Sequence, residues 1–187
     1  MNKFAIILGE PNSINSEILA KSVAKNYPCV VIGSYTLIKA QLKILKIRLK
    51  IKKVEFNQKQ IKKGLNILDV PLKFKSPFEV NPKESRIYLK KCFDIAHKLS
   101  LEGKIRGFIN CPIDKKNFFN EKSGGITEYL AKKNNIYQNE VMLIYNKKCS
   151  VAPLTTHIKL KNVSKSLKKE ILKKKLITLN NFYFKYF

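Results

Sequence analysis

Phe4-Ala5-Ile6-Ile7-Leu8-Gly9-Glu10-Pro11 opens the chain with five apolar residues, cut off at once by a glycine, an acid and a proline. A run that short and that uniformly apolar reads as a strand of the buried kind. The polar stretch up to Asn15 reads as the loop leaving its carboxyl end. Ser16 or Asn15 can cap a helix running to about Asn26, with Glu17 in the first turn, where the helix dipole favours an acid. Cys29-Val30-Val31-Ile32 repeats the strand pattern and Gly33 stops it. Ser34 can cap the next helix, whose Leu37, Ile38, Leu42 and Leu45 share one face. Short apolar runs alternating with amphipathic ones predict an α/β architecture.

Further along, the alternation in Leu49-Lys50-Ile51-Lys52 and the run from Leu65 to Leu72 predict exposed antiparallel strands. Asn81-Pro82-Lys83-Glu84 is the clearest helix start, with an Asn cap and Pro at the first helical position, where its missing N–H is harmless. That helix runs through Tyr88, Leu89, Phe93, Ala96 and Leu99 to about Glu102, and Gly103 stops it. His97 lies in its last turns, where a partly solvated histidine is the simplest reading. Gly107-Phe108-Ile109-Asn110-Cys111 reads as a fully buried strand ended by Pro112. A short helix from Lys115 to Asn120 and another from Thr127 to Lys133 are expected next. Val141–Tyr145 and Ser150–Leu154 should pair across the turn Asn146-Lys147-Lys148. Asn162 caps a final helix with Val163, Leu167, Ile171, Leu172, Leu176 and Leu179 on its inner face. The aromatic residues from Phe182 to Phe187 have no element behind them, so further chain or a partner is expected to cover them.

Composition narrows the function. The 187 residues carry a formal charge of +25, from 38 Lys and Arg against 13 Asp and Glu. Arginine, the residue that grips phosphates and bases bidentately, stands only at Arg48, Arg86 and Arg106. The lysines are spread along the whole chain, so specific nucleic-acid recognition is not expected, although non-specific attraction to polyanions is. The same field favours a phosphorylated small substrate. Cys29, Cys92, Cys111 and Cys149 are far apart and form no C-x-x-C pair, which fits reduced thiols in the cytoplasm. No apolar run is long enough to span a bilayer, and the first residues lack a cleavage pattern, so no membrane association is expected.

Three loops carry the candidate chemistry. Asn110-Cys111-Pro112-Ile113-Asp114-Lys115 and Leu154-Thr155-Thr156-His157 each follow a predicted strand, the edge of an α/β sheet at which ligands bind. Gly124-Gly125-Ile126-Thr127-Glu128 opens a predicted helix, where glycines admit an anion close to the backbone, free N–H groups point outward and the Thr127 hydroxyl adds a donor. Lys115 can add charge. His157, bounded by threonines and one of only two histidines, suits a metal or phosphate ligand.

Together these segments resemble the 4-hydroxythreonine-4-phosphate dehydrogenase family of pyridoxal phosphate biosynthesis. Gly9-Glu10-Pro11 with Ile14 and Glu17-Ile18 resembles its opening G-[DE]-P-x-G-I-G-P-E signature. Phe108 to Lys115 is similar to its strand ending in T-G-P-[IV]-x-K. Gly125-Ile126-Thr127-Glu128-Tyr129 is similar to G-H-T-E-[FY], and Leu154-Thr155-Thr156-His157-Ile158 to A-T-T-H-[LI]. The resemblance implies an isocitrate/isopropylmalate dehydrogenase-like fold with two α/β lobes around a cleft. It places a first lobe at residues 1–115 and the incomplete start of a second at 116–187. It implies NAD-dependent oxidation and decarboxylation of 4-phosphohydroxy-L-threonine, aided by a divalent zinc, magnesium or cobalt ion, in a homodimer. Thr127 then matches a residue on the substrate phosphate, and His157 one of three histidine metal ligands.

The chain also departs from that pattern. Ile126 stands in place of the family's phosphate-contacting histidine, and Ser13, Asn15 and Ser16 replace Gly, Gly and Pro. The family's remaining metal ligands and much of its NAD site lie beyond the segments matched here, so the chain is expected to be a truncated, inactive portion. A non-catalytic phosphometabolite-binding module and a basic nucleic-acid-binding protein are the alternative readings.

Overall fold

A computed structural model of the chain describes residues 4–22, 29–55, 64–120, 125–136, 139–156 and 158–186. It divides into two compact units, Met1–Lys122 and Ser123–Phe187. In the first unit β1 (Phe4–Ile7), β2 (Cys29–Gly33), β3 (Ile51–Lys53), β4 (Leu65–Asp69) and β5 (Gly107–Asn110) form one sheet in the order β3-β4-β2-β1-β5. Every pairing is parallel. Parallel neighbours need crossovers, and α1 (Asn15–Ser22), α2 (Tyr35–Ile44) and α3 (Pro82–Leu101) lie in three of them. A short α4 (Lys115–Phe118) follows β5.

The core forms where the central strands meet these helices. Ala5, Ile7, Val30, Val31, Ile32 and Ile67 are buried in the sheet. From α2, Leu37, Ile38 and Leu42 pack inward. From α3, Tyr88, Leu89, Cys92, Phe93, Ala96 and Leu99 do so at helical spacing. Phe93 makes edge-on contacts with Phe108 of β5 and Phe118 of α4, with centroids 6.2 and 5.3 Å away, which fixes α3 and α4 against the strand. The caps are those the residues predict. Ser34 Oγ accepts from the Leu37 amide at 3.3 Å, and Asn81 Oδ1 accepts from the Lys83 amide at 2.9 Å, ahead of Pro82. Gly103 leaves α3 with φ +65°, a conformation glycine adopts without penalty.

Several expectations are corrected. Residues 51–53 and 65–69 are parallel strands, not antiparallel ones, and of the two only β3 is exposed as expected. β4 lies inside the sheet between β3 and β2, which is why Leu65, Asn66 and Ile67 are buried. β5 is half exposed, with Ile109 at 58%, because among the described strands it pairs only with β1, at the sheet's edge. The extension of α1 toward Asn26 falls outside the described residues.

In the second unit, α5 (Ile126–Lys133) is present as expected. The expected strand pair is reduced to one antiparallel bridge between Ile144 and Val151. The side chains of Asn146 and Ser150 take up the turn's hydrogen bonds locally, and that satisfies the backbone without a longer ladder. The single final helix is replaced by a tight turn at Leu160–Asn162, α6 (Val163–Ser166) and α7 (Lys169–Tyr186). Leu167 breaks it by leaving helical geometry with ψ 99°, and Asn162 makes no side-chain cap bond. The predicted inner face is not buried at any position of α6 or α7. Among the unit's described residues only Ala131 is buried, so those residues form no core among themselves.

The end of β2 shows how tightly the first unit is packed. A Cβ on Gly33 would lie 2.8 Å from Leu8 Cβ and 2.9 Å from the Tyr88 hydroxyl, which itself accepts from the Ser34 amide at 3.0 Å. Gly33→Ala should therefore displace the phenol and cost roughly 1–3 kcal/mol, read as a lower midpoint in chemical denaturation. Burial also pushes the Cys92 thiol up to about 12, whereas an unfolded thiol ionises near 9.0. Unfolding then releases a proton between those values, so stability is full below pH 9 and falls as the pH climbs toward 12. Each such group contributes about 1.4 kcal/mol per pH unit. Cys92→Ala should flatten that decline in urea titrations from pH 8 to 11.

Candidate functional site

The strand order fixes where a ligand crevice can open. From β1 the chain moves one way to β2 and later returns to place β5 on the other flank, so the connections diverge between β1 and β5. In open parallel sheets the carboxyl ends at such a reversal hold the ligand. The loops that leave those ends carry Gly9-Glu10-Pro11 and Cys111-Pro112-Ile113-Asp114, two of the segments singled out in the sequence.

These loops are bound to each other. The Glu10 amide donates to Pro112 O at 2.9 Å. Asn15 Nδ2 donates to Pro112 O at 2.9 Å and to Glu10 O at 3.2 Å. Gly9 turns the chain with φ +82°, and a Cβ there would lie 2.5 Å from Pro112 O, so this close approach admits only glycine. Further amides hold the first loop from outside. Asn12 exchanges two hydrogen bonds with the Val80 backbone, at 2.9 and 2.8 Å. Gln41 Nε2 donates to both Pro11 O and Pro77 O at 2.7 Å.

What this loop offers chemically is mainly acceptors. Glu10 Oε1 accepts from Ser85 Oγ at 2.8 Å, while Glu10 Oε2, Asn15 Oδ1 and Ser16 Oγ are buried without a hydrogen-bond partner. Buried polar atoms ordinarily find partners, so the loop is suited to a donor such as an ordered water, an ammonium or an amide. Sequence reasoning treated Asn15 and Ser16 as possible helix caps and as departures from the family's opening signature, and did not single out Ser85. Cys111 beside them is buried, and desolvation pushes its thiol up to about 11, so it is protonated and unreactive near neutral pH.

A second feature lies where α3 meets α4. A cleft of about 320 Å³ is lined by Arg86, Asp114, Lys116, Asn117 and Asn120. Arg86 is held by the side-chain oxygen of Asn120, whose left-handed φ of 53° asparagine tolerates. Asp114 accepts from the Asn117 amide at 3.0 Å and caps α4, while Asn117 Nδ2 donates to Pro82 O at 2.9 Å. Sequence reasoning did not single out Arg86 for this cleft. Its rarity in a chain whose cations are nearly all lysine was the available signal. Lys115, which had been singled out, begins α4 and is exposed.

In the second unit Thr127 is the second residue of α5 and is exposed, in the helix's first turn, whose amides have no partner within the helix. Gly125 caps that helix through its backbone conformation alone, and the Glu128 carboxylate folds back over the place a side chain there would take. A negative charge of the protein's own therefore stands at this helix start. Gly124 and His157 lie outside the described residues. Just before His157, Leu154 O accepts from Lys175 Nζ of α7 at 3.2 Å. Among the described residues no three His, Cys, Asp or Glu side chains gather as a metal-binding group. The sequence supplies only two histidines. Those described residues therefore do not by themselves gather a catalytic metal centre, which needs about three protein ligands.

Comparison with known proteins agrees with this layout. The family model for the pyridoxal phosphate biosynthetic protein PdxA matches residues 25–187. The 4-hydroxythreonine-4-phosphate dehydrogenase of Sulfurihydrogenibium sp. is 33% identical over 191 residues, covering 96% of this chain and 57% of the relative. That of Aquifex aeolicus is 31% identical, covering 93% and 55%. The crystal structure of the Klebsiella pneumoniae enzyme superposes with a TM-score of 0.84 at 24% identity, over 98% of this chain and 59% of that one. The Burkholderia phymatum enzyme gives 0.81 at 18% identity, over 94% and 56%. The fold is thus that of these dehydrogenases, the isocitrate/isopropylmalate dehydrogenase type, and the chain spans a little over half their length. By sequence and by fold, the chain belongs to the PdxA family of pyridoxal phosphate biosynthetic proteins.

Proposed function

We propose that this chain supplies the substrate-phosphate segment and one metal-ligand segment of an NAD-dependent 4-hydroxythreonine-4-phosphate dehydrogenase, and that it is inactive without the rest. The observation that carries this reading is the family match over residues 25–187 by a chain that spans only 57% of a full-length relative. In the assembled enzyme, bound NAD would supply the hydride acceptor for oxidation of 4-phosphohydroxy-L-threonine at the hydroxyl-bearing carbon next to its amino carbon, the hydroxyl giving up its proton. The resulting β-keto acid then releases carbon dioxide.

This chain's part is binding. The Thr127 hydroxyl and the first-turn amides of α5 donate to the substrate phosphate. The Ile126 side chain contributes no hydrogen bond. The net charge of +25 draws the anionic substrate in. His157 would serve as one ligand to a divalent zinc, magnesium or cobalt ion whose other ligands come from outside this chain. The reading also makes the assembled enzyme a cytoplasmic homodimer. The free thiols of all four cysteines support the cytoplasmic part of that reading.

Two measurements test this. Calorimetry of the chain with 4-phosphohydroxy-L-threonine should show weak binding that Thr127→Ala lowers about 10- to 100-fold, as expected for a charge-assisted hydrogen bond of roughly 1.5–3 kcal/mol. Absence of heat at millimolar ester would remove the phosphate site. With NAD, substrate and each metal added, the chain alone should form no NADH, and steady turnover would disprove the incompleteness.

A further inference from the structure

The cleft between α3 and α4 holds more charge than its own contacts use. Arg86, Asp114, Lys116, Asn117 and Asn120 line about 320 Å³, at the small end of the range for ligand pockets. Among the described residues, Arg86, Lys116 and Asp114 form no ion pair, with one another or with a neighbour. The hydrogen bonds already made show which groups remain. Arg86 commits its Nη1 to Asn120 Oδ1 and keeps the rest of its guanidinium fork. That bond orients the Asn120 amide, whose Nδ2 is left as a donor. Asn117 Nδ2 is taken by Pro82 O, which leaves Asn117 Oδ1 as an acceptor. Asp114 Oδ1 accepts from the Asn117 amide, and its second oxygen is left as well. The cleft thus offers donors from Arg86, Lys116 and Asn120, and acceptors from Asp114 and Asn117.

We infer that this cleft binds a small phosphorylated metabolite that also carries a hydroxyl or ammonium group. Two cations match a phosphate dianion better than a single carboxylate, and the guanidinium fork suits its paired oxygens. The ligand's own donor answers Asp114, which would repel a bare anion. The chain's charge of +25 concentrates anions at such a site. The inference goes beyond the dehydrogenase reading and does not rest on it. Every lining residue belongs to the first unit, and Thr127 is not among them.

Because Arg48, Arg86 and Arg106 are the chain's only arginines, Arg86 can be followed by its own Nε–H signal in an arginine-labelled NMR spectrum. Titrating the full chain with glycerol phosphate should shift that signal saturably and at lower concentration than inorganic phosphate does, whereas glycerol shifts nothing. In calorimetry with the same probe, Arg86→Ala should weaken binding at least ~10-fold, and Lys116→Gln about 3- to 5-fold. Asp114→Ser, which keeps a capping hydroxyl for α4, should erase the preference for glycerol phosphate over inorganic phosphate. Thr127→Ala should leave binding unchanged, which separates this site from the phosphate segment proposed above. The inference is overturned if no saturable shift appears, if Arg48 and Arg106 shift alongside Arg86, or if Arg86→Ala binds as tightly as the native chain. Loss of binding in Thr127→Ala also overturns it, and a preference that survives Asp114→Ser overturns the assigned ligand class.

Discussion

Pairing of β1 on both of its edges is the constraint from which the remaining geometry follows. Phe4 to Ile7 lie opposite Cys29 to Ile32 on one side and Gly107 to Asn110 on the other, all in parallel register. That register brings the ends of three strands level. The loops after β1 and β5 consequently meet closely enough for one amide, Asn15, to bond both. Gly9 is forced into a left-handed turn by that same closeness, since Pro112 O occupies the place of any side chain. The crevice is thus a product of sheet register, and its acceptor-rich character comes from the residues that hold the loops together.

The two units solve the problem of burial differently. In the first, three helices and a parallel sheet remove a continuous set of aliphatic and aromatic groups from water, and even Tyr88 and Gln41 are fully enclosed, with the Tyr88 hydroxyl and Gln41 Nε2 hydrogen-bonded. In the second, the helices keep their apolar residues at helical spacing, yet the described portion encloses almost none of them. A periodic pattern is a statement about what a helix can bury, and burial itself needs an opposing surface. The family relatives, with their additional sequence, are proteins in which such a surface can exist.

Much of the first unit was legible from local chemistry. The apolar runs at Phe4 and Cys29, the Ser34 and Asn81 caps, Pro82 and Gly103 each act within a few residues, so sequence alone locates them. β4 was misread because its direction depends on β2 and β3, which are distant in sequence or chemically ambiguous. β5 was misread because a continuous apolar run does not say whether a strand lies in the middle or at the edge of a sheet. The final helix was read as one because Leu167 fits its periodicity, and the backbone departure there leaves no mark in composition. Of the candidate site, the Gly9 and Pro112 segments were visible as motifs. The roles of Asn15, Ser85 and Arg86 were not, because each depends on a partner brought close only by the tertiary fold.

The phenol of Tyr88 has a consequence for the order in which the molecule is built. It takes the Ser34 amide across 54 residues of chain, at the point where β2 gives way to α2. An emerging polypeptide cannot complete that bond until α3 has left the ribosome and closed a long loop, at a substantial entropic cost. The first βαβ segments therefore wait on a residue nearly halfway along the chain, and the sheet and its covering helices consolidate together.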